Sequence, residues 1–319
     1  RPWGAPEMNE RGTPIMAIRV LVTDGMDAGA MEQLRKDGFE VVEQFYEPDQ
    51  LGAALKDFDA VIIRSATKIK KQQIDDAKGG KLKLIIRAGV GMDNIDIPYA
   101  EAAGIACKNT PRASSNAVAE LAISLLFSCA RSISIAGHTM RENKWEKKAY
   151  SKGFEVSGKT VGVIGYGRIG RMVGDKCQAL GAKVLSVVHR AKPEGCECET
   201  MHFVSMDELL SQSDIIILCA PGGDKAIVDA EALAKMKDGV VIINVSRGSN
   251  VDEAALLEGL NSGKVKAAGL DVWMSEKEPN WALAQHPAVS CTPHIGAGTK
   301  EAQKRIGAEL VDIVEHFAF

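Results

Sequence analysis

Thr160-Val-Gly-Val-Ile-Gly-Tyr-Gly-Arg-Ile-Gly170 is the stretch whose reading decides the fold. Small and β-branched residues from Thr160 to Ile164 predict a buried strand, and Ile169, Met172, Val173, Cys177 and Leu180 then recur at helical steps. Gly165, Gly167 and Gly170 therefore stand between a strand and a helix, the setting in which G-x-G-x-x-G signals a dinucleotide site. Gly165 allows the tight turn, Gly167 lets a pyrophosphate approach the backbone, and Gly170 lets the helix pack closely on the strand. The N–H groups of the helix start, at Arg168 and Ile169, and the positive end of its dipole would hold the phosphates. A following strand over 182–188 completes the unit.

The same alternation extends in both directions. Upstream, strands are expected at 17–23, 39–46, 60–65, 83–89 and 104–109, with a helix over 26–37 and shorter helical stretches between the others. Downstream they are expected at 214–220, 240–246, 267–273 and 289–293, before a last amphipathic helix over 299–317. A long Ala- and Leu-rich helical block, 114–143, with Ser114 or Ser115 as N-cap, joins the two series and has the apolar surface for a subunit contact. Strand alternating with helix means parallel sheets covered on both faces, so the fold class is α/β with two doubly wound domains. The series without G-x-G-x-x-G should carry the substrate, in a cleft at the carboxyl ends of the strands.

Composition narrows the function. The chain of 319 residues has 45% hydrophobic and 25% charged residues, as a soluble globular protein does. A net charge of −3 gives no reason to expect nucleic acid or an anionic membrane as partner. No run approaches the length of a bilayer span. The seven cysteines are odd in number and mostly sit in apolar segments, which suits reduced thiols in a cytoplasmic protein. Cys196-Glu-Cys198 has no matching Cys/His pair nearby, so no metal is expected. The polar, aperiodic segment 1–15 reads as a tag or a disordered tail.

Three polar residues fall just past strand ends in the second series: Arg247, Glu276 and His294. Loops after strand ends are where this architecture keeps reactive groups. Hydride transfer at a carbon bearing a hydroxyl needs a base for the hydroxyl proton, and histidine titrates in the right range. A carboxylate favours the protonated ring and orients it, and a guanidinium grips a substrate carboxylate with two hydrogen bonds.

Arg247-Gly, Leu270-Asp-Val-Trp…Glu276 and Pro293-His294-Ile-Gly resemble the signature blocks of the D-isomer-specific 2-hydroxyacid dehydrogenases, with the family's spacing from Arg247 to Glu276 and from Glu276 to His294. Further blocks, 63–68, 87–94, 109–111, 119–121 and 144–147, resemble the phosphoglycerate dehydrogenase branch. The resemblance implies a Rossmann nucleotide domain over 111–294. It also implies a discontinuous, flavodoxin-like substrate domain over 16–110 and 295–319, and hinge closure between the two. It makes His294 the acid–base, Glu276 its partner and Arg247 the grip on the 2-oxo acid. Asp271 would bond the nicotinamide amide, and Ala220 and Pro221 would border the adenosine. The N–H groups of Gly89, Val90 and Gly91 would hold the substrate carboxylate. Arg64, Ser65, Arg87 and Lys147 would face a substrate phosphate. A homodimer is expected on the same ground, and serine feedback is not, since the chain stops soon after the last helix.

Three departures from the family pattern stand out. Where an acidic residue should follow the second strand of the nucleotide domain, Val188 is followed by His189, Arg190 and Lys192, cations that would suit a 2′-phosphate. The cofactor is thus NAD or NADP. The loop Ala220-Pro-Gly-Gly-Asp-Lys225 differs from the usual one, and Glu278-Pro279 offers a second Glu-Pro match beside Glu276. Two other functions stay open: reduction of glyoxylate or hydroxypyruvate with NADPH, and an NADH-binding co-repressor without turnover.

Overall fold

The computed structural model describes residues 17–187, 195 and 198–319; the tail 1–15, His189, Arg190, Lys192 and Cys196 lie outside the described residues. The chain forms two compact units, one running up to Ser114 and joined by Thr299–Phe319, the other Ser115–Gly298.

The first unit is built on five strands: β1 (Arg19–Val22), β2 (Glu40–Glu43), β3 (Ala60–Ile63), β4 (Leu84–Arg87) and β5 (Ala106–Asn109). They pair in the order β2-β1-β3-β4-β5, all parallel. This is the flavodoxin-like order, whose switch point falls between β1 and β3. Val61, Ile63 and Ile85 turn to one face, where they meet Leu51, Leu55, Phe58, Ile74 and Ile95. Strands covered on both sides are apolar at every position, as Ala60-Val-Ile-Ile63 is. The last helix, Lys300–Glu315, packs against Ala28–Lys36, so the C-terminal segment completes this unit.

The second unit holds β6 (Thr160–Ile164), β7 (Lys183–Val187), β8 (Met201–Val204), β9 (Ile215–Leu218), β10 (Val240–Asn244), β11 (Val265–Leu270) and β12 (Val289–Cys291). Their order is β12-β11-β10-β9-β6-β7-β8, again all parallel. From β6 the chain winds outward to β8, then returns to β9 on the other side, the Rossmann arrangement. Alternation along β9 divides the core. Ile215 and Ile217 join Val161, Val163, Val173 and the helix Ser115–Arg131, while Ile216 and Leu218 join Leu209, Ile242, Ala268 and Leu256.

Two expectations differ from what is found. The helical block 114–143 breaks at Ser132, which takes φ 53° and separates Ser115–Arg131 from Ile133–Arg141 with a bend of 67°. No Gly or Pro marks the break, so periodicity ran through it. Strand β8 was not foreseen: it is four residues long, stands at the sheet edge beside β7, and carries a weak pattern, Met-His-Phe-Val. Phe203 on β8 stacks edge-on with Tyr166 of the glycine loop at 5.3 Å, anchoring that edge. Among the described residues no single helix is long and apolar enough to cross a membrane.

Candidate functional site

The three glycines after β6 do different work. Gly165 has φ +97°, and a Cβ there would lie 2.5 Å from the Ala220 nitrogen, so β6 and the loop after β9 touch backbone to backbone at the switch point. A Cβ on Gly170 would lie 2.0 Å from the Gly165 carbonyl, so the helix Arg168–Ala179 approaches the strand only because Gly170 is bare. Gly167 is otherwise. Its φ is −81°, open to any residue, and a Cβ would meet no atom within 4 Å. Neither backbone nor packing requires glycine at 167. What remains is close approach of a ligand to the backbone at the helix start, where Arg168 and Ile169 present N–H groups. These residues fit a dinucleotide pyrophosphate.

Across the switch point the loops after β9, β10, β11 and β12 are tied together. Asn250 Nδ2 donates to the Ala220 carbonyl at 3.0 Å and to Ser246 Oγ at 2.9 Å. Ser246 Oγ donates to Asn244 Oδ1 at 2.8 Å, and Asn244 Nδ2 donates to the Arg247 carbonyl at 2.8 Å. All three side chains are buried, so this polar chain fixes Ala220 and the Arg247 backbone in one frame. Arg247 is half-buried and its Nη1 also donates to the Ser246 carbonyl at 2.6 Å. Gly248 then presses on the next loop: a Cβ there would lie 2.1 Å from the Trp273 carbonyl. Trp273 Nε1 donates to the Thr292 carbonyl at 3.2 Å, which carries the link to the loop after β12.

That loop holds His294, whose backbone takes φ 54°, a left-handed conformation uncommon for a side-chain-bearing residue. Asp271, 1% exposed, imposes it. Its carboxylate accepts from Thr292 Oγ1 at 2.6 Å, Ile295 N at 2.8 Å and Gly296 N at 2.9 Å, and its carbonyl accepts from His294 N at 2.8 Å. Burial pushes the Asp271 carboxyl above its ordinary value, against the downward pull of these hydrogen bonds and of the neighbouring His294. His294 Nδ1 and Glu276 Oε1 form a short hydrogen bond, so the ring pairs with Glu276 and not with Glu278. The outer nitrogen, Nε2, is left for chemistry. Asp271 thus spends both oxygens on the chain, a role in holding the His294 loop that the sequence did not suggest. Asn244, Ser246, Asn250 and Thr292 were likewise missed. The one available signal was their place at or just beyond strand ends.

In the first unit, Arg64 and Arg87 leave the ends of adjacent strands, with Ile63 paired to Arg87. The Arg64 guanidinium makes no hydrogen bond or ion pair with the described residues, and Ser65 beside it is exposed. Arg87 folds over its own loop: a Cβ on Gly89 would lie 1.3 Å from Arg87 Nη1. The Gly89 N–H donates to the Arg87 carbonyl at 2.9 Å. In the same loop Val90 is exposed and Gly91 half-buried. Pro221 and Lys147, in the second unit, are exposed. Among the described residues, no cluster of three or more His, Cys, Asp or Glu could hold a metal ion.

Comparison with known proteins agrees with this geometry. The profile described as "D-isomer specific 2-hydroxyacid dehydrogenase, NAD binding domain" matches residues 123–296. A hydroxypyruvate reductase of Thermotoga maritima is 44% identical over 92% of this chain and 96% of its own. A D-3-phosphoglycerate dehydrogenase of Archaeoglobus fulgidus is 39% identical over 94% of this chain, which spans 57% of that longer protein. The crystal structure of a glyoxylate reductase from Paecilomyes thermophila superimposes with a TM-score of 0.86 at 31% identity, covering 94% of this chain and 95% of that one. A Rossmann unit with a bare Gly167 at its helix start and His294 paired to Glu276 stands beside these matches, and the chain belongs to the D-isomer specific 2-hydroxyacid dehydrogenase family, NAD(P)-dependent oxidoreductases acting on the CH–OH group.

Proposed function

We propose that the protein interconverts D-3-phosphoglycerate and 3-phosphohydroxypyruvate. The observation that carries the choice of a phosphorylated acid is the placement of Arg64 and Arg87 at neighbouring strand ends, with the Arg64 guanidinium not engaged elsewhere. Two guanidinium groups suit a dianionic phosphate better than a neutral hydroxyl. When bound, the nicotinamide cofactor accepts or supplies the hydride at C2 of the acid. Arg247 binds the carboxylate and polarises the C2 oxygen. His294 takes the C2 hydroxyl proton on Nε2 in oxidation and returns it in reduction, while Glu276 on Nδ1 holds the ring and stabilises its protonated form.

The second reading is reduction of hydroxypyruvate or glyoxylate, favoured by the full-length match to the Thermotoga protein. NAD and NADP both remain in the proposal, because the residues that would choose between their riboses fall at 188–194, outside the described residues. A homodimer belongs to it too. The helix Ile133–Arg141 buries none of its residues, and Ile133, Met140 and Trp145 are exposed. Light scattering tests the subunit count. Initial rates with 3-phosphohydroxypyruvate, hydroxypyruvate and glyoxylate, each with NADH and NADPH, test the substrate. A kcat/KM at least about tenfold higher for the phosphorylated acid is expected; preference for glyoxylate would establish the second reading.

A further inference from the structure

The turn Arg64-Ser-Ala-Thr67 is gripped from two sides. Asp24, just past β1, accepts from Arg64 N at 2.6 Å, Thr67 N at 3.1 Å and Thr67 Oγ1 at 2.7 Å. Asn94, just past the Gly89–Gly91 loop, donates through Nδ2 to the Arg64 and Thr67 carbonyls, each at 2.7 Å. One residue takes the N–H groups of the first and last members of the turn, the other serves their carbonyls. Thr67 is buried, and its hydroxyl also lies 2.9 Å from Thr23 Oγ1, so the grip is rooted in the core. Asp24 and Arg64 stand at the ends of β1 and β3, which flank the switch point of this sheet. That is where open α/β sheets place their ligands.

We infer that Asp24 and Asn94 are positioning residues that hold the 64–67 turn so that Arg64 and Ser65 meet the phosphate of the substrate already oriented, and so set the preference for phosphorylated over unphosphorylated acids. Asn94 ties the turn to the loop after β4, so the loops bearing Arg64 and Arg87 move as one piece. An arginine on a loose loop would lose its rotamer and backbone freedom only on binding, and a preorganised one has already lost the backbone part. Neither residue offers a group to the reacting carbon, so the effect belongs in KM for the phosphate-bearing substrate. This inference rests on the reading of Arg64 as a phosphate ligand.

The experiment measures kcat and KM for 3-phosphohydroxypyruvate and for hydroxypyruvate in wild type, Arg64→Ala, Asn94→Ala, Asp24→Asn and Thr67→Ser, with a thermal melt of each. Asn94→Ala and Asp24→Asn should raise KM for the phosphorylated acid about tenfold, leave KM for hydroxypyruvate within about threefold, and barely change kcat. Thr67→Ser keeps the hydroxyl and should stay near wild type. Asp24→Asn risks misfolding, since it replaces an acceptor of three bonds; Asn94→Ala is the safer variant because it removes two hydrogen bonds and leaves the Asp24 grip on the turn intact. If Arg64→Ala is phosphate-selective while Asn94→Ala changes both KM values equally, or only the melting temperature, the inference is overturned and the reading of Arg64 survives. If Arg64→Ala itself fails to discriminate, both fall.

Discussion

Asp271 and Thr292 share a 2.6 Å hydrogen bond from the threonine hydroxyl to a carboxylate that is almost wholly buried, and His294 lies two residues further on at φ 54°. The bond joins the end of β11 to the loop after β12, so the left-handed backbone at His294 is held by a residue twenty-three positions earlier in sequence. Thr292→Val preserves shape and removes the donor. Leaving that oxygen short of a partner costs about 1–3 kcal/mol, so the melting temperature should drop. kcat should fall with it, while the cofactor dissociation constant stays unchanged. Asp271→Asn should do more, since its amide faces N–H groups. The pH sign follows from burial. Folding raises the Asp271 carboxyl above 3.8, so its contribution to stability is largest below that value and declines as pH rises through the folded one. Thermal melts across the acid range should show the gap between wild type and Asp271→Asn narrowing as pH rises. A gap that widens would mean the ionised form is the one that folding favours.

Gly167 and Gly170 separate ligand binding from folding. Gly170→Ala would place a methyl 2.0 Å from the Gly165 carbonyl, and a variant that melts many degrees lower or does not fold is expected. Gly167→Ala meets nothing and has an ordinary φ, so its melting temperature should match wild type. Its KM for NADH and NADPH should nevertheless rise about tenfold or more, because the methyl stands where a phosphate oxygen approaches the helix start. Unchanged cofactor affinity in a well-folded Gly167→Ala would remove the argument that the bare position serves a ligand.

How far the sequence carried these conclusions depended on range. Thr160–Gly170 was legible because strand, turn and helix signals are local and agree. The strand-end positions of Arg247, Glu276 and His294 were legible for the same reason. The clamps were not. Asp271 reaches Thr292, and Asn250 reaches Ala220, through contacts fixed by sheet order, which no spacing encodes. The break at Ser132 escaped because a helical pattern continues on both sides of it, and β8 because four residues at a sheet edge carry too little period to register.

His294→Asn removes the proton carrier and keeps a side chain that tolerates the left-handed backbone. The expected result is a loss in kcat on the order of 10²–10⁴ with unchanged cofactor binding and melting temperature. Glu276→Gln should lower kcat less. Stopped-flow rates measure both. A His294→Asn enzyme that keeps most of its rate would show that another group carries the proton.

The cysteines give a test of packing that needs no substrate. Cys129 lies on the buried face of Ser115–Arg131 and Cys177 on that of Arg168–Ala179, and burial pushes each thiol up to about 12. A thiol is a nucleophile only as thiolate, so neither should react in the native protein. Cys198 is exposed, and hydrogen bonds from Thr200 and from Gln178 Nε2, the latter at 3.2 Å, hold its thiol below the ordinary value. Brief treatment with iodoacetamide near neutral pH should therefore alkylate Cys198 while Cys129 and Cys177 stay unmodified until denaturant is added. Cys198→Ser should abolish its share of the fast phase, and fragment mass spectrometry assigns each site. Rapid labelling of Cys129 would mean that the long helix does not seal that face of the Rossmann sheet, and the placement of every loop that rests on the sheet would have to be redrawn.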